Sequence, residues 1–163
     1  MKNQKVLFMV HAAMIAAIYV VITIIFAPIG FGEIQIRISE ALTILPFFTS
    51  AAIPGLFIGC LIGNILGGAI IPDIIVGSLA TLCAACCTYF LRNKNRFLAP
   101  VAPIVFNAFA VPFVLRYGYG VPLPIPFMML TVGIGQFISC GILGMILMTA
   151  LSKYKNILFF KKN

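Results

Sequence analysis

The chain is a succession of long apolar runs, broken at a few points by proline, glycine and charge. The first run, Val6 to Phe26, is about as long as the ~20 residues a helix needs to cross a bilayer. It stops at Ala27-Pro28-Ile29-Gly30. It is too long for the core of a signal peptide and lacks an A-x-A exit, so it is expected to persist as a transmembrane helix over 5–27. Breakers and apolar runs then predict a short segment at 40–50 and helices at 54–70, 73–92 and 98–115. Pro54 suits a first helical turn. Val121-Pro-Leu-Pro-Ile-Pro126 predicts a rigid extended loop, followed by a last helix over 126–152. The segment at 40–50 is too short to span alone. The expectation is an all-α polytopic membrane protein of six transmembrane helices, built as one domain over 1–163.

One stretch departs from the helical pattern. Glu33-Ile-Gln-Ile-Arg-Ile-Ser39 alternates strictly, with Ile34, Ile36 and Ile38 on one edge and Glu33, Gln35, Arg37 and Ser39 on the other. A period of two predicts an extended segment. Such a segment can lie over a membrane cavity as a lid, or serve as an ordinary connection. Ser39 is placed to cap the segment that follows, with Glu40 in its first turn, and Arg37 to pair with Glu40 or Glu33.

Small residues recur at helical spacing. Gly55, Gly59, Gly63 and Gly67 stand four apart, so one face of the third segment is bare backbone, and Asn64 stands beside it. Ala12-Ala13-x-x-Ala16-Ala17 gives the first helix two overlapping small pairs. Both patterns allow close helix approach in a membrane.

Composition supports the bilayer. Hydrophobic residues make up 63% of the 163 positions and charged residues 9%, with a mean hydropathy of +1.17. A soluble domain carries roughly 25% charge. The net charge of +8 does not form one basic face, which argues against nucleic acid. With the N-terminus inside, Lys2, Lys5, Arg92, Lys94, Arg96, Lys153, Lys155, Lys161 and Lys162 fall on the cytoplasmic side. Only Arg37 and Arg116 fall outside. That bias sets both termini in the cytoplasm.

The same orientation places Glu33, Glu40 and Asp73, the three carboxylates of the chain, at the outer ends of their segments. Ionisable groups at membrane depth are costly and usually functional; solvated helix ends are the alternative. Asn64, Asn107 and Gln136 are amides within apolar runs, suited to a planar ligand or to interhelical bonds. Tyr117 and Tyr119 fit an interfacial belt, and His11 a structural role. Cys60, Cys83, Cys86, Cys87 and Cys140 all lie in apolar stretches. They are expected to pack helices, since Cys83-x-x-Cys86 has neither a second pair nor a histidine.

No Walker A, H-E-x-x-H or G-x-S-x-G sequence occurs, so neither an enzyme nor an ATPase is expected, and no cofactor or metal. No acid sits mid-helix for proton coupling, and the chain does not divide into two similar halves. A membrane-embedded binder that borrows energy from a partner fits these features.

Six short helices, an alanine-rich first helix and a first outer loop placed as a lid resemble the S components of energy-coupling factor (ECF) importers. Gln35-Ile-Arg-Ile-Ser-Glu-Ala-Leu-Thr-Ile-Leu-Pro46, then Gly55-Leu-Phe-Ile-Gly-Cys-Leu-Ile-Gly-Asn64, then Asp73, resemble the QueT family. The resemblance covers nearly the whole chain, and Arg37-Ile-Ser-Glu-Ala-Leu42 is its most specific part. It implies uptake of a queuosine precursor (preQ1, preQ0 or queuine) across the bacterial plasma membrane. It also implies a transmembrane coupling subunit, two cytoplasmic ATPases, and a toppling motion of the loaded S component. The coupling subunit would meet Ala12, Ala13, Ala16 and Ala17. A deazaguanine edge has adjacent N–H donors that one carboxylate accepts bidentately, and a second carboxylate could hold an ammonium. Glu40 and Asp73 are the first candidates for these roles, Glu33 and Gln35 the next, with Arg37 as ion-pair partner or ligand contact. Asn64, Asn107 or Gln136 would serve the carbonyl. Another vitamin, such as thiamin, riboflavin or biotin, is the alternative cargo.

Overall fold

The computed structural model describes residues 2–30 and 36–158, with side chains placed for 3–30 and 36–154. Seven α-helices form among these residues: α1 Lys2–Ile25, α2 Ala27–Gly30, α3 Ala52–Leu66, α4 Ile71–Leu91, α5 Val101–Tyr117, α6 Ile125–Gln136 and α7 Gly144–Leu158. Two 3-10 segments, Ile38–Phe47 and Arg96–Leu98, precede α3 and α5. A π-helical segment, Phe137–Leu143, joins α6 to α7 without a break.

Among the described residues, four stretches are long and apolar enough to cross a membrane: Asn3–Ile25, Ile71–Leu91, Arg96–Tyr117 and Ile125–Tyr154. Ile38–Phe47 and Ala52–Leu66 are shorter. At about 2.0 Å per residue in a 3-10 helix and 1.5 Å in an α-helix they reach only about two-thirds and three-quarters, respectively, of a hydrocarbon core about 30 Å thick. The six-helix expectation therefore resolves into four full-length spans and two short apolar helices. The outer surfaces suit lipid. On α1, Met9, Met14, Ile18, Val21 and Ile25 are all exposed, and nothing polar replaces them on that face.

Helices α1, α3, α4, α5 and α6 pack side by side in the order α1–α3–α4–α5–α6. The 3-10 segment Ile38–Phe47 lies against α1, α3, α4, the π segment and α7. It is the interior element of the bundle, and every residue from Ser39 to Pro46 is buried.

The glycine stripe is what lets α1 approach α3. A methyl group added at Gly55 would lie 2.7 Å from the Ala12 carbonyl oxygen; at Gly59, 2.8 Å from Tyr19 Cβ; at Gly63, 3.3 Å from Thr23. Gly67 is not part of the stripe. It caps the C-terminus of α3, where Gly68 takes a φ of +78° and turns the chain toward α4. The alanines divide. Ala16 is buried against α3 and Ala12 is half-buried, whereas Ala13 and Ala17 face outward.

Candidate functional site

Of the segment expected to be extended, only residues 36–39 fall among the described residues. Arg37 has β backbone angles and serves as N-cap without a side-chain bond; a 3-10 helix begins at Ile38. Ser39 is therefore not the cap. Its hydroxyl accepts a bond from Thr23 Oγ1 at 2.8 Å. Glu33 and Gln35 lie outside the described residues. In a 3-10 helix residues three apart eclipse one another, so Arg37, Glu40 and Thr43 share a face. From Arg37 onward this spacing of three sets which side chains share a face. A 3-10 run of ten residues is unusual, since most stop at three or four. Its buried setting holds it: Thr43 Oγ1 donates to the Glu40 carbonyl at 2.6 Å, and Cys140 Sγ donates to the same oxygen at 3.4 Å.

Two linked polar groups result. In the first, Arg37 Nη2 meets Asp73 Oδ2 at 3.1 Å, with the two side chains 6% and 1% exposed. Arg37 thus pairs with Asp73 rather than with Glu40. Arg37 Nη1 donates to Asn64 Oδ1 at 3.3 Å. Tyr119 Oη donates to Asp73 Oδ2 at 3.1 Å while accepting from the Ile70 amide at 3.3 Å. Tyr119 is therefore more than an interfacial aromatic, because it ties the outer loop to the buried ion pair. Burial, and then the nearby Asp73 carboxylate, raise its phenol above the ordinary tyrosine value. It stays protonated, and so a donor, throughout the physiological range. Tyr117 makes no such contact and is exposed.

In the second group, Tyr19 Oη donates to Glu40 Oε1 at 2.5 Å and Asn107 Nδ2 donates to Oε2 at 3.3 Å. Glu40 is 1% exposed and Tyr19 1% exposed. Gln136 joins indirectly: its Oε1 lies 3.2 Å from Cys140 Sγ and is the alternative acceptor for the one thiol proton that otherwise goes to the Glu40 carbonyl. The packing role expected of the cysteines is incomplete for two of them. Cys140 is a hydrogen-bond relay, and Cys60 Sγ accepts from Thr81 and Asn64 at 3.4 and 3.5 Å.

The structure thus joins Arg37, Asn64 and Asp73 in one network and Glu40 and Asn107 in another. The two share a face of the 3-10 segment, and Gln136 stands at their edge. Tyr19, Tyr119, Gly77, Cys60 and Cys140 belong to these networks too. Spacing held a signal for some of them: Tyr19 and Thr23 follow Ala16 at helical intervals on the packed face of α1, and Gly77 is one turn from Asp73. Asp73 Oδ1 and Ser139 Oγ are buried with no hydrogen-bond partner among the described residues. Beside the ion pair a small crevice opens between Ile22, Thr23, Phe26, Gly30, Arg37, Ile38 and Ser39. The whole is one guanidinium, two carboxylates and a set of neutral donors and acceptors sealed among apolar helices. It offers recognition of a polar molecule.

The family model of the QueT transporter matches residues 9–153. The chain belongs to the QueT transporter family. That is a family of transporters, not of enzymes. Over 84 residues the chain is 40% identical to the queuosine precursor transporter QueT of Lactococcus lactis subsp. cremoris (strain MG1363). The match covers 50% of this chain and 49% of that protein, so the chain spans about half the length of the curated relative. No solved structure matches. Membership of the family agrees with the sequence resemblance and with the apolar spans. Arg37, Glu40 and Asp73 are thus buried polar groups in a chain of a transporter family.

Proposed function

We propose that this QueT-family chain is the substrate-binding S component of an ECF importer, and that it binds a queuosine precursor (preQ1, preQ0 or queuine). The observation that carries the reading is the buried cluster of Arg37, Glu40 and Asp73 with its amides, Asn64 and Asn107. A deazaguanine presents a row of N–H donors beside a carbonyl, which carboxylates and amides together can complement. The QueT of Lactococcus lactis is a queuosine precursor transporter, which supports the same cargo here.

In this reading the N-terminus and C-terminus are cytoplasmic, the two short helices complete the crossing with their neighbours, and the site opens outward in the bacterial plasma membrane. The chain has no ATP-binding motif of its own, so a transmembrane coupling subunit and two cytoplasmic ATPases supply the energy. Of the four alanines on α1, Ala13 and Ala17 are available to the coupling subunit, because Ala12 and Ala16 are already committed to α3.

The test is thermal stabilisation of the purified chain in detergent by preQ1, preQ0, queuine, guanine, thiamin, riboflavin and biotin. A ligand that binds only the folded state raises its stability by about 2.7 kcal/mol at a hundred times its Kd. Stabilisation by a deazaguanine and not by the vitamins is expected. Stabilisation by a vitamin alone would remove the queuosine assignment and keep the S-component role. A folded chain that responds to none of them would sink the binding claim.

A further inference from the structure

The two buried carboxylates sit in different electrostatic surroundings. Asp73 is neutralised by Arg37 at 3.1 Å. Glu40, equally buried, is held by the Tyr19 phenol and the Asn107 amide, both neutral, and it forms no ion pair among the described residues. With both acids ionised the cluster of Arg37, Glu40 and Asp73 carries a formal charge of −1, one positive group against two negative. A buried carboxylate with no cation bears an uncompensated desolvation cost, and a cationic ligand would remove it.

A second feature lies beneath the ion pair. Asp73 Oδ1 is buried and has no hydrogen-bond partner among the described residues. It faces Gly77, one turn further along α4. A methyl group added at Gly77 would lie 3.5 Å from Asp73 Oδ1, 3.3 Å from Asn64 Nδ2 and 3.9 Å from Arg37 Nη1. The bare glycine thus packs closely against one acceptor and two donors, which converge beside it. A neutral lactam, with one N–H and one C=O, is the complement of that arrangement; an ammonium is not, because it would face the guanidinium.

We propose, resting on the queuosine-precursor reading above, that the two carboxylates divide the ligand between them. The group of Asp73, Asn64 and Arg37 that converges beside Gly77, with the unpartnered Asp73 Oδ1, reads the lactam edge of a 7-deazaguanine. Glu40, positioned by Tyr19 and Asn107, is the counter-ion of a primary ammonium on the 7-substituent. The protein therefore selects the aminomethyl compound preQ1 over preQ0, which has the same ring but a neutral nitrile. Gly77 lets these three groups converge, because a side chain there would press on all of them.

The experiment compares preQ1 and preQ0 by calorimetric titration of the detergent-purified full chain, then of Glu40→Gln and Gly77→Ala. Loss of one charge-assisted hydrogen bond corresponds to roughly 10- to 100-fold in affinity, and wild-type preference for preQ1 by that factor is expected. Glu40→Gln is expected to bring the ratio of the two affinities close to one. Gly77→Ala is expected to weaken both ligands alike. Equal wild-type binding of preQ1 and preQ0 would overturn the assignment of Glu40 while leaving the queuosine-precursor reading intact, and this comparison needs no variant to fold. Undiminished preference for preQ1 in Glu40→Gln would overturn it as well, as would a Gly77→Ala effect confined to preQ1. Failure of the folded wild-type chain to bind either compound would overturn this assignment, and failure to bind queuine as well would overturn the queuosine-precursor reading with it.

Discussion

The ion pair of Arg37 and Asp73 joins residues far apart in sequence and is almost fully withdrawn from solvent. Removing one partner of a buried pair strands the other's charge, whereas removing both exchanges two desolvation costs for apolar contact. Asp73→Ala is therefore expected to lower stability by about 3 kcal/mol, and Arg37→Met with Asp73→Leu to recover most of that loss. Thermal unfolding of the single and double variants checks it; a double variant as unstable as the single would mean the pair is not coupled. Tyr119 is the outer contact of the same pair. Tyr119→Phe deletes a donor to Asp73 and an acceptor for the Ile70 amide. A cost of about 1 kcal/mol is expected, together with faster ligand dissociation in a stopped-flow measurement, because the loop that carries Tyr119 is then no longer tied to Asp73. None of these partners could be paired from sequence. Arg37 has Glu40 three residues away, yet its guanidinium crosses to α4, since a 3-10 turn places both side chains on one face and points them together at the opposing helices.

Among the elements, α1 and α3 form the tightest seam. Helices in lipid gain no hydrophobic drive toward one another, so close van der Waals contact across small residues holds them. Gly59 is the critical position: its missing side chain makes room for Tyr19, the residue that donates to Glu40. Gly59→Leu is expected to destabilise the bundle by about 1–3 kcal/mol through overpacking and to weaken ligand binding as well, by moving the phenol. Gly63→Ala, whose new methyl would meet Thr23 at 3.3 Å, is expected to be milder in both respects. Calorimetry and titration of the two variants side by side check whether seam and site are coupled. The stripe itself is plain in the sequence, because glycine every fourth residue can only line one helical face. Its partner was not, and Gly67 belonged to a turn rather than to the face. The interruption of the last helix by a π segment was equally hidden. Phe137–Leu143 carries Cys140, which bonds the backbone of Glu40, and a π turn has no composition of its own to announce it.

At the scale of the molecule, the four long apolar stretches and the exposed apolar flanks of α1 match a lipid environment. The basic residues then set the orientation. In a chain with Cys83, Cys86 and Cys87 replaced by serine, Pro122→Cys is expected to react with a membrane-impermeant thiol reagent on intact cells, and Asn93→Cys only after permeabilisation. The reverse pattern would invert the topology and put the polar cluster on the wrong side for import. Hydropathy, the glycine stripe, the charge bias and the residue types of the site were all legible in the sequence, because each is a one-dimensional property: length against bilayer thickness, helical spacing, sidedness of lysine and arginine, and the rarity of polar groups in apolar runs. Tertiary structure alone decided which of those polar groups meet. It put Glu40 in a 3-10 helix, paired Arg37 with Asp73, and left Glu40 among neutral donors. It also committed Ala12 and Ala16 inward, leaving Ala13 and Ala17 outside. The reason is physical: once the backbone satisfies its own hydrogen bonds, a buried polar side chain must find its partner on another helix, and which helix faces it is fixed by packing rather than by sequence.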